Sequence, residues 1–210
     1  MDNTVRGKFT RRELFVLSTS AAAYAFGTTI VSASWRQRAK RIIGETSKLA
    51  RACYTSWNDS GDYKPELMEV ESWLRTIEAK DRIIKDTKFY ASMIDHESLG
   101  DPTSHNPKND TRGLGRITRN TGNWICEKYN MKVGTMGTAL FNPHFNISVM
   151  VMLIEYYHMK SPWSDREKYA LMCYGYGEAA IKRGDDGSAY YAEHKERYAK
   201  IKGLMKGDLR

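Results

Sequence analysis

The sequence predicts a mainly α fold, and three observations carry that prediction. Apolar residues recur at helical spacing in separate stretches: Leu67, Val70, Leu74 and Ile77; then Tyr90, Met93 and Ile94; then Phe145, Val149, Met152, Leu153 and Tyr156. Punctuating residues fall between them, at Pro65, Gly100 to Pro102, Asn142-Pro143 and Ser161-Pro162, where helices start and stop. At 210 residues, 41% of them hydrophobic, the chain has the length for one domain with a real core plus appendages.

The first 33 residues read as a targeting segment. Arg6, Lys8, Arg11 and Arg12 precede Leu14 to Ala33, an uncharged run of 20 residues. Thr10-Arg11-Arg12-Glu13-Leu14-Phe15 resembles a twin-arginine export signal, and Ser, Thr, Ala and Gly keep the run only mildly apolar, as such signals tend to be. Val31-Ser32-Ala33 offers small residues for cleavage before Ser34. A run of that length also just suffices to span a bilayer, so an uncleaved inner-membrane anchor at residues 14–33 is the alternative. Arg36, Arg38, Lys40 and Arg41 follow the run as closely as four basic residues precede it, so charge does not set its orientation. A buried helix of a cytoplasmic protein is the remaining reading. Export to the periplasm or cell envelope is the expectation.

Residues 34–64 read as a basic helical linker, its helix running from Trp35 to Ser60 with Ile42, Ile43, Leu49 and Ala52 on the apolar side. Such a helix can lie on a membrane surface, dock on the domain or stay solvated. The domain proper is expected over 65–206. Pro65 opens its first helix, with Trp73 adding to the core. A second helix runs through Phe89 to Ser98 and is stopped by Leu99-Gly100-Asp101-Pro102. Asp101 to Arg112 holds almost nothing apolar and reads as an exposed loop. A short helix over Asn120 to Tyr129 points Trp124 and Ile125 inward. Helices from Asn142, from about Ser164 to Tyr174, and through Tyr190, Tyr191 and Tyr198 complete the set, and those last three tyrosines could stack on sugar rings or simply fill a helical core.

Glu97 is where chemistry enters. It lies seven residues after Tyr90, on the same face as Met93 and Ile94, at the last turn of its helix. A carboxyl group at the lip of a buried face is partly desolvated, which raises its pKa towards that of a general acid. A helix-end Glu that simply reaches water is the plainer reading.

The blocks around Glu97 resemble the catalytic domain of lytic transglycosylases, relatives of goose-type lysozymes. That family reads apolar-x-x-Glu-Ser, then Gly-Leu-Met-Gln-Ile/Leu, Asp-Pro-x-x-Asn-Ile and Ala-x-x-x-Tyr-Asn-x-Gly. This chain has Ile94-Asp-His-Glu97-Ser98, Gly113-Leu114-Gly115-Arg116-Ile117, Asn142-Pro143-His-Phe-Asn146-Ile147 and Ala170-Leu-Met-Cys-Tyr174-Gly175-Tyr176-Gly177. The four blocks keep the family order across Asp86 to Tyr198, a little over half the chain. The resemblance implies a lysozyme-like helical domain with a two-lobed cleft that cuts the MurNAc–GlcNAc β-1,4 bond of peptidoglycan glycan strands. Glu97 would be its catalytic residue, with no cofactor and no metal. Ser98 would shape the turn, and Gly113, Leu114, Gly115, Arg116, Asn146, Tyr174 and Tyr176 would build the cleft. Tyr174 would also help hold Glu97. A substrate-orienting Ser of the family falls near Asn106, with Ser104 the nearest hydroxyl. The chain departs from the family at Gly115, Arg116 and Gly175, where Met, Gln and Asn are usual. Arg116 could pair with an anionic peptide stem or with Glu97 itself, and an Arg116–Glu97 ion pair would lower the pKa of the acid and spoil it.

Composition bounds the alternatives. A net charge of +8 draws polyanions, among them anionic wall polymers, lipid and nucleic acid. A nucleic-acid binder rests on charge alone and is the weakest reading. The five histidines, at 96, 105, 144, 158 and 194, show no metal-ligand spacing. Cys53, Cys126 and Cys173 allow at most one internal disulfide, and Cys126–Cys173 is the pair to test in an exported protein. Two further outcomes stay open at this level: a lysozyme-type hydrolase using Asp95 or Asp101 as second carboxylate, and a wall-binding or assembly protein that has lost turnover. Partners beyond the wall would then be the inner membrane, or an envelope-spanning or phage assembly.

Overall fold

The computed structural model describes residues 33–80 and 82–207, with the side chains of α1 described at Gly44 and from Ser47 onward. The export-signal region before Ala33 lies outside the described residues, as do the side chains of Arg36, Arg38, Lys40, Arg41, Ile42 and Ile43. Among the described residues no helix is long and apolar enough to cross a membrane.

Among the described residues nine helices and one small sheet follow in the order α1 (Ala33–Ser60), α2 (Leu67–Glu78), α3 (Thr87–Ser98), β1 (His105–Asn106), β2 (Thr111–Arg112), β3 (Ile117–Thr118), α4 (Arg119–Lys128), α5 (Met136–Ala139), α6 (Pro143–Lys160), α7 (Arg166–Tyr176), α8 (Glu178–Lys182) and α9 (Ser188–Lys206). The mainly α expectation holds. α6 is the axis of the core. Asn142 caps it by accepting from the Phe145 N–H at 3.0 Å, and Pro143 fills the first turn, where no N–H is needed. Ile147, Val149, Met150, Leu153, Ile154 and Tyr157 of α6 are all buried. The expected stripe is therefore offset: Phe145, Met152 and Tyr156 are only half-buried, because α2, α4 and α7 pack on different sides of α6.

α3 lies against α9 and α2. Tyr90, Met93 and Ile94 are fully buried, and burial of each such side chain is worth about 1.5–3 kcal/mol. In α2, Val70, Trp73, Leu74 and Ile77 go inward, whereas Leu67 at the first turn is exposed. From Leu49 to Trp57, α1 docks on the domain: Leu49, Ala50, Ala52, Cys53 and Trp57 are buried. Trp57 also explains how α3 stops. The C-cap is Leu99, in the left-handed conformation at φ 54°, and Gly100 follows at φ 77°. A Cβ on Gly100 would stand 2.5 Å from the Trp57 ring, so the helix end and α1 meet where only glycine fits.

The segment expected as a plain loop is partly paired. β1, β2 and β3 form an antiparallel sheet in that order, with His105 opposite Arg112 and Arg112 opposite Ile117. Asp110 ties the hairpin by accepting from Arg112 and Arg119, and these guanidiniums hold its carboxyl down at about 2. Trp124 of α4 is exposed rather than inward, packing edge-on against Tyr156. Ile125 takes the core position instead.

Candidate active site

Glu97 ends α3 half-buried beside a cavity of about 440 Å³. Its Oε1 accepts a hydrogen bond from the Tyr190 hydroxyl of α9. Burial pushes the carboxyl up to about 7, against the opposing pull of that hydrogen bond and of the Arg116 charge. Desolvation is the largest of these effects, and among the described residues no cation pairs directly with the carboxylate. Arg116 shares the cavity and its charge pulls the carboxyl down, but among the described residues it forms no ion pair with Glu97, and burial outweighs that pull.

The turn Gly113 to Arg116 forms one wall and is pinned from three directions. The Gly113 N–H donates to the Ser104 carbonyl at 2.8 Å, and the Arg116 N–H donates back to Gly113 O at 2.9 Å. Asn146, wholly buried on α6, accepts from the Gly115 N–H at 2.7 Å and donates to the carbonyls of Arg112 and Leu140 at 2.9 and 2.8 Å. The Tyr174 hydroxyl of α7 donates to Gly115 O at 2.5 Å. A Cβ on Gly115 would stand 2.7 Å from that hydroxyl, so glycine here is what admits Tyr174. Gly175 has a parallel role. A Cβ there would stand 2.5 Å from the Tyr190 ring, the ring that delivers a hydroxyl to Glu97.

The cavity is lined by Glu97 and Arg116, by the aromatic rings of Tyr157, Tyr174, Tyr176 and Tyr190, and by the polar side chains of Asn109, Thr111, Thr118 and Thr121, among others. A family model described as the transglycosylase SLT domain matches residues 76–197, a span that takes in every residue of this lining. The chain belongs to the transglycosylase SLT domain family. A search of curated proteins and a search of solved structures each returned no match. SLT domain membership brings with it a lytic transglycosylase-type function acting on peptidoglycan.

Within this SLT domain, Glu97, Arg116, Tyr174 and Tyr176 meet in the cavity. Gly113, Leu114, Gly115 and Asn146 stand behind its wall and set the backbone. Ser98 turns its hydroxyl back to the Ile94 carbonyl at 3.3 Å. Ser104 and Asn106 lie outside the lining, where Asn106 accepts from the Lys108 N–H, and Asn109 and Thr111 of the same segment line the cavity instead. The hydroxyl on Glu97 comes from Tyr190, not from Tyr174, whose hydroxyl is committed to Gly115. Tyr190 carried no motif. Its signal was Gly175, a missing side chain that matters only once α7 and α9 are brought together.

The second-carboxylate candidates are elsewhere. Asp95 is wholly buried, accepting from Ser56 at 3.0 Å and from Arg197 at 3.4 Å on the side of α3 facing α1 and α9. Asp101 is occupied by Thr103 outside the cavity. Cys53, Cys126 and Cys173 are all free thiols and buried, so the Cys126–Cys173 bridge is not formed. Among the described residues no cluster of three His, Cys, Asp or Glu side chains could hold a metal ion.

Proposed function

We propose that the chain is a peptidoglycan lytic transglycosylase that cleaves the MurNAc–GlcNAc β-1,4 bond with Glu97 alone and leaves 1,6-anhydro-MurNAc ends. The observation that carries this reading is a cavity lined, among the described residues, by a single carboxyl group, which burial pushes up to about 7. Protonated Glu97 gives its proton to the glycosidic oxygen as the C1–O bond breaks and positive charge develops at C1. The resulting carboxylate then takes the proton of the sugar's own 6-hydroxyl while O6 bonds to C1 and closes the anhydro ring. One group serves as acid and then base, so no second carboxylate and no water nucleophile is required, in contrast to the two-carboxylate glycosidases. Tyr190 keeps the carboxyl in place through both halves, and its hydrogen bond favours the carboxylate formed midway.

The lysozyme-type alternative lacks its second carboxylate, since Asp95 is committed to Ser56 and Arg197. The proposal also includes export of the domain, through residues 1–33, to the envelope where its substrate lies. Glu97→Gln tests the catalytic assignment: release of soluble fragments from dyed peptidoglycan should fall at least a thousandfold, with circular dichroism and wall binding retained. Turnover close to wild type would remove Glu97 from the reaction.

A further inference from the structure

Arg116 takes no part in the proton transfers of the transglycosylase reading, on which its further role rests. Among the residues lining the cavity, Arg116 is the one cation. Its neighbours Arg112 and Arg119 are both tied to Asp110, and Arg197 is tied to Asp95. The Arg116 guanidinium makes no hydrogen bond and no ion pair with any described residue. It is nonetheless half-buried, and it sits on backbone at φ 46°, a left-handed conformation that costs a non-glycine residue energy. Gly115 holds that conformation in place, donating its N–H to Asn146 Oδ1 and accepting at its carbonyl from the Tyr174 hydroxyl. A partly desolvated guanidinium with a free planar fork is matched by a carboxylate, which it binds in two parallel hydrogen bonds.

We infer that Arg116 is a receptor for a substrate carboxylate beside the scissile bond, so that the cleft selects anionic glycan over neutral glycan of the same backbone. The carboxylate has two sources in peptidoglycan: the lactyl group of strands stripped of peptide, and the peptide stem of intact strands. Binding it also serves the acid. The groups facing Glu97 are Tyr190 from α9, Tyr174 from α7 and Arg116 from the turn before β3, while on its own helix Asp95 faces Ser56 and Arg197, and His96 faces the Tyr190 ring and Glu193. Arg116 is the one cation in that shell that pulls proton affinity down. A bound carboxylate neutralises it and helps Glu97 keep its proton until the bond is cut.

The test compares kcat/KM on three soluble substrates: strands with stems, strands stripped of stems, and stripped strands whose carboxylates have been converted to amides. The wild-type chain should prefer at least one carboxylate substrate over the amidated one by about tenfold, and which one it prefers identifies the source. Arg116→Gln should collapse that ratio to about one and shift the alkaline limb of the pH–rate profile upward. Arg116→Lys, which keeps the charge and loses the fork, should fall between. Equal wild-type rates on all three substrates, or undiminished preference in Arg116→Gln, would overturn the inference while leaving the transglycosylase reading intact. Binding of the same substrates to Glu97→Gln separates the two claims: charge-selective binding with no wild-type turnover would sustain the carboxylate site and overturn the catalytic reading.

Discussion

Glu97 is kept protonated by the same burial that makes its charged form a liability to the fold. Its carboxyl moves from an ordinary 4.5 to about 7 on folding. Stability from the protonated form is therefore full below about pH 4.5 and is lost as pH rises through 7, by no more than about 3 kcal/mol. Glu97→Gln, which cannot ionise, should lose activity and gain stability over wild type progressively from pH 5 to 8. Urea unfolding at a series of pH values reads this, and a constant difference across that range would contradict the burial argument. The rate should decline as pH rises through about 7, where the acid loses its proton. Tyr190→Phe removes a hydrogen bond that favours the charged form, so that limb should move to higher pH while the maximal rate falls. Glu97 was legible in the sequence because helical spacing put it at the end of an apolar face. Tyr190 was not, because its partner is 93 residues away and no local pattern joins them.

At the scale of elements, the wall of the cavity is a turn that cannot hold itself. Asn146→Ala would leave the Gly115 N–H and the carbonyls of Arg112 and Leu140 without their partner in a buried place. The expected loss is about 2–4 kcal/mol by denaturant unfolding, with activity falling further because Arg116 is no longer held. Gly175→Ala makes the complementary test on the other wall. Its Cβ would meet the Tyr190 ring at 2.5 Å, so the ring must retreat and the hydroxyl must leave Glu97. Activity should fall at least tenfold, with a stability loss of about 1–3 kcal/mol. The helices carrying these residues were legible from 3.6-residue periodicity and from Asn142-Pro143. The hairpin was not, because its strands are two residues each, too short for alternation to show, and are fixed by Asp110 and its two arginines. Trp124 was misplaced for a related reason: helical spacing gives a face, and an aromatic ring at its margin can stay outside.

At the scale of the whole molecule, α3 and α9 form one of the two most extensive helix pairs among the described residues and meet along the length of α3. At its N-cap Tyr198 donates to Asp86, in its first turn His194 Nε2 donates to Phe89 O at 3.0 Å, and Arg197 on Asp95 and Tyr190 on Glu97 follow in its last turns. The site acid is thus the last link of the contact that holds the final helix in place. His194 is buried, and its imidazole is pushed down to about 4 from 6.5. The unfolded chain takes up that proton first, so stability should fall as pH drops from about 6.5 to 4, by on the order of 3 kcal/mol. Imidazole nitrogen shifts should show His194 neutral, with its proton on Nε2, down to about pH 4. The four sequence blocks located the family span, and the side chains of α9 that complete the site lay beyond any of them. The most direct test of the account is the mass of the fragments released from purified peptidoglycan by the full chain. Single-Glu chemistry predicts anhydro-ended muropeptides, one water lighter than hydrolysis products. Reducing-end products would contradict it and require a nucleophilic water that Glu97 alone does not explain.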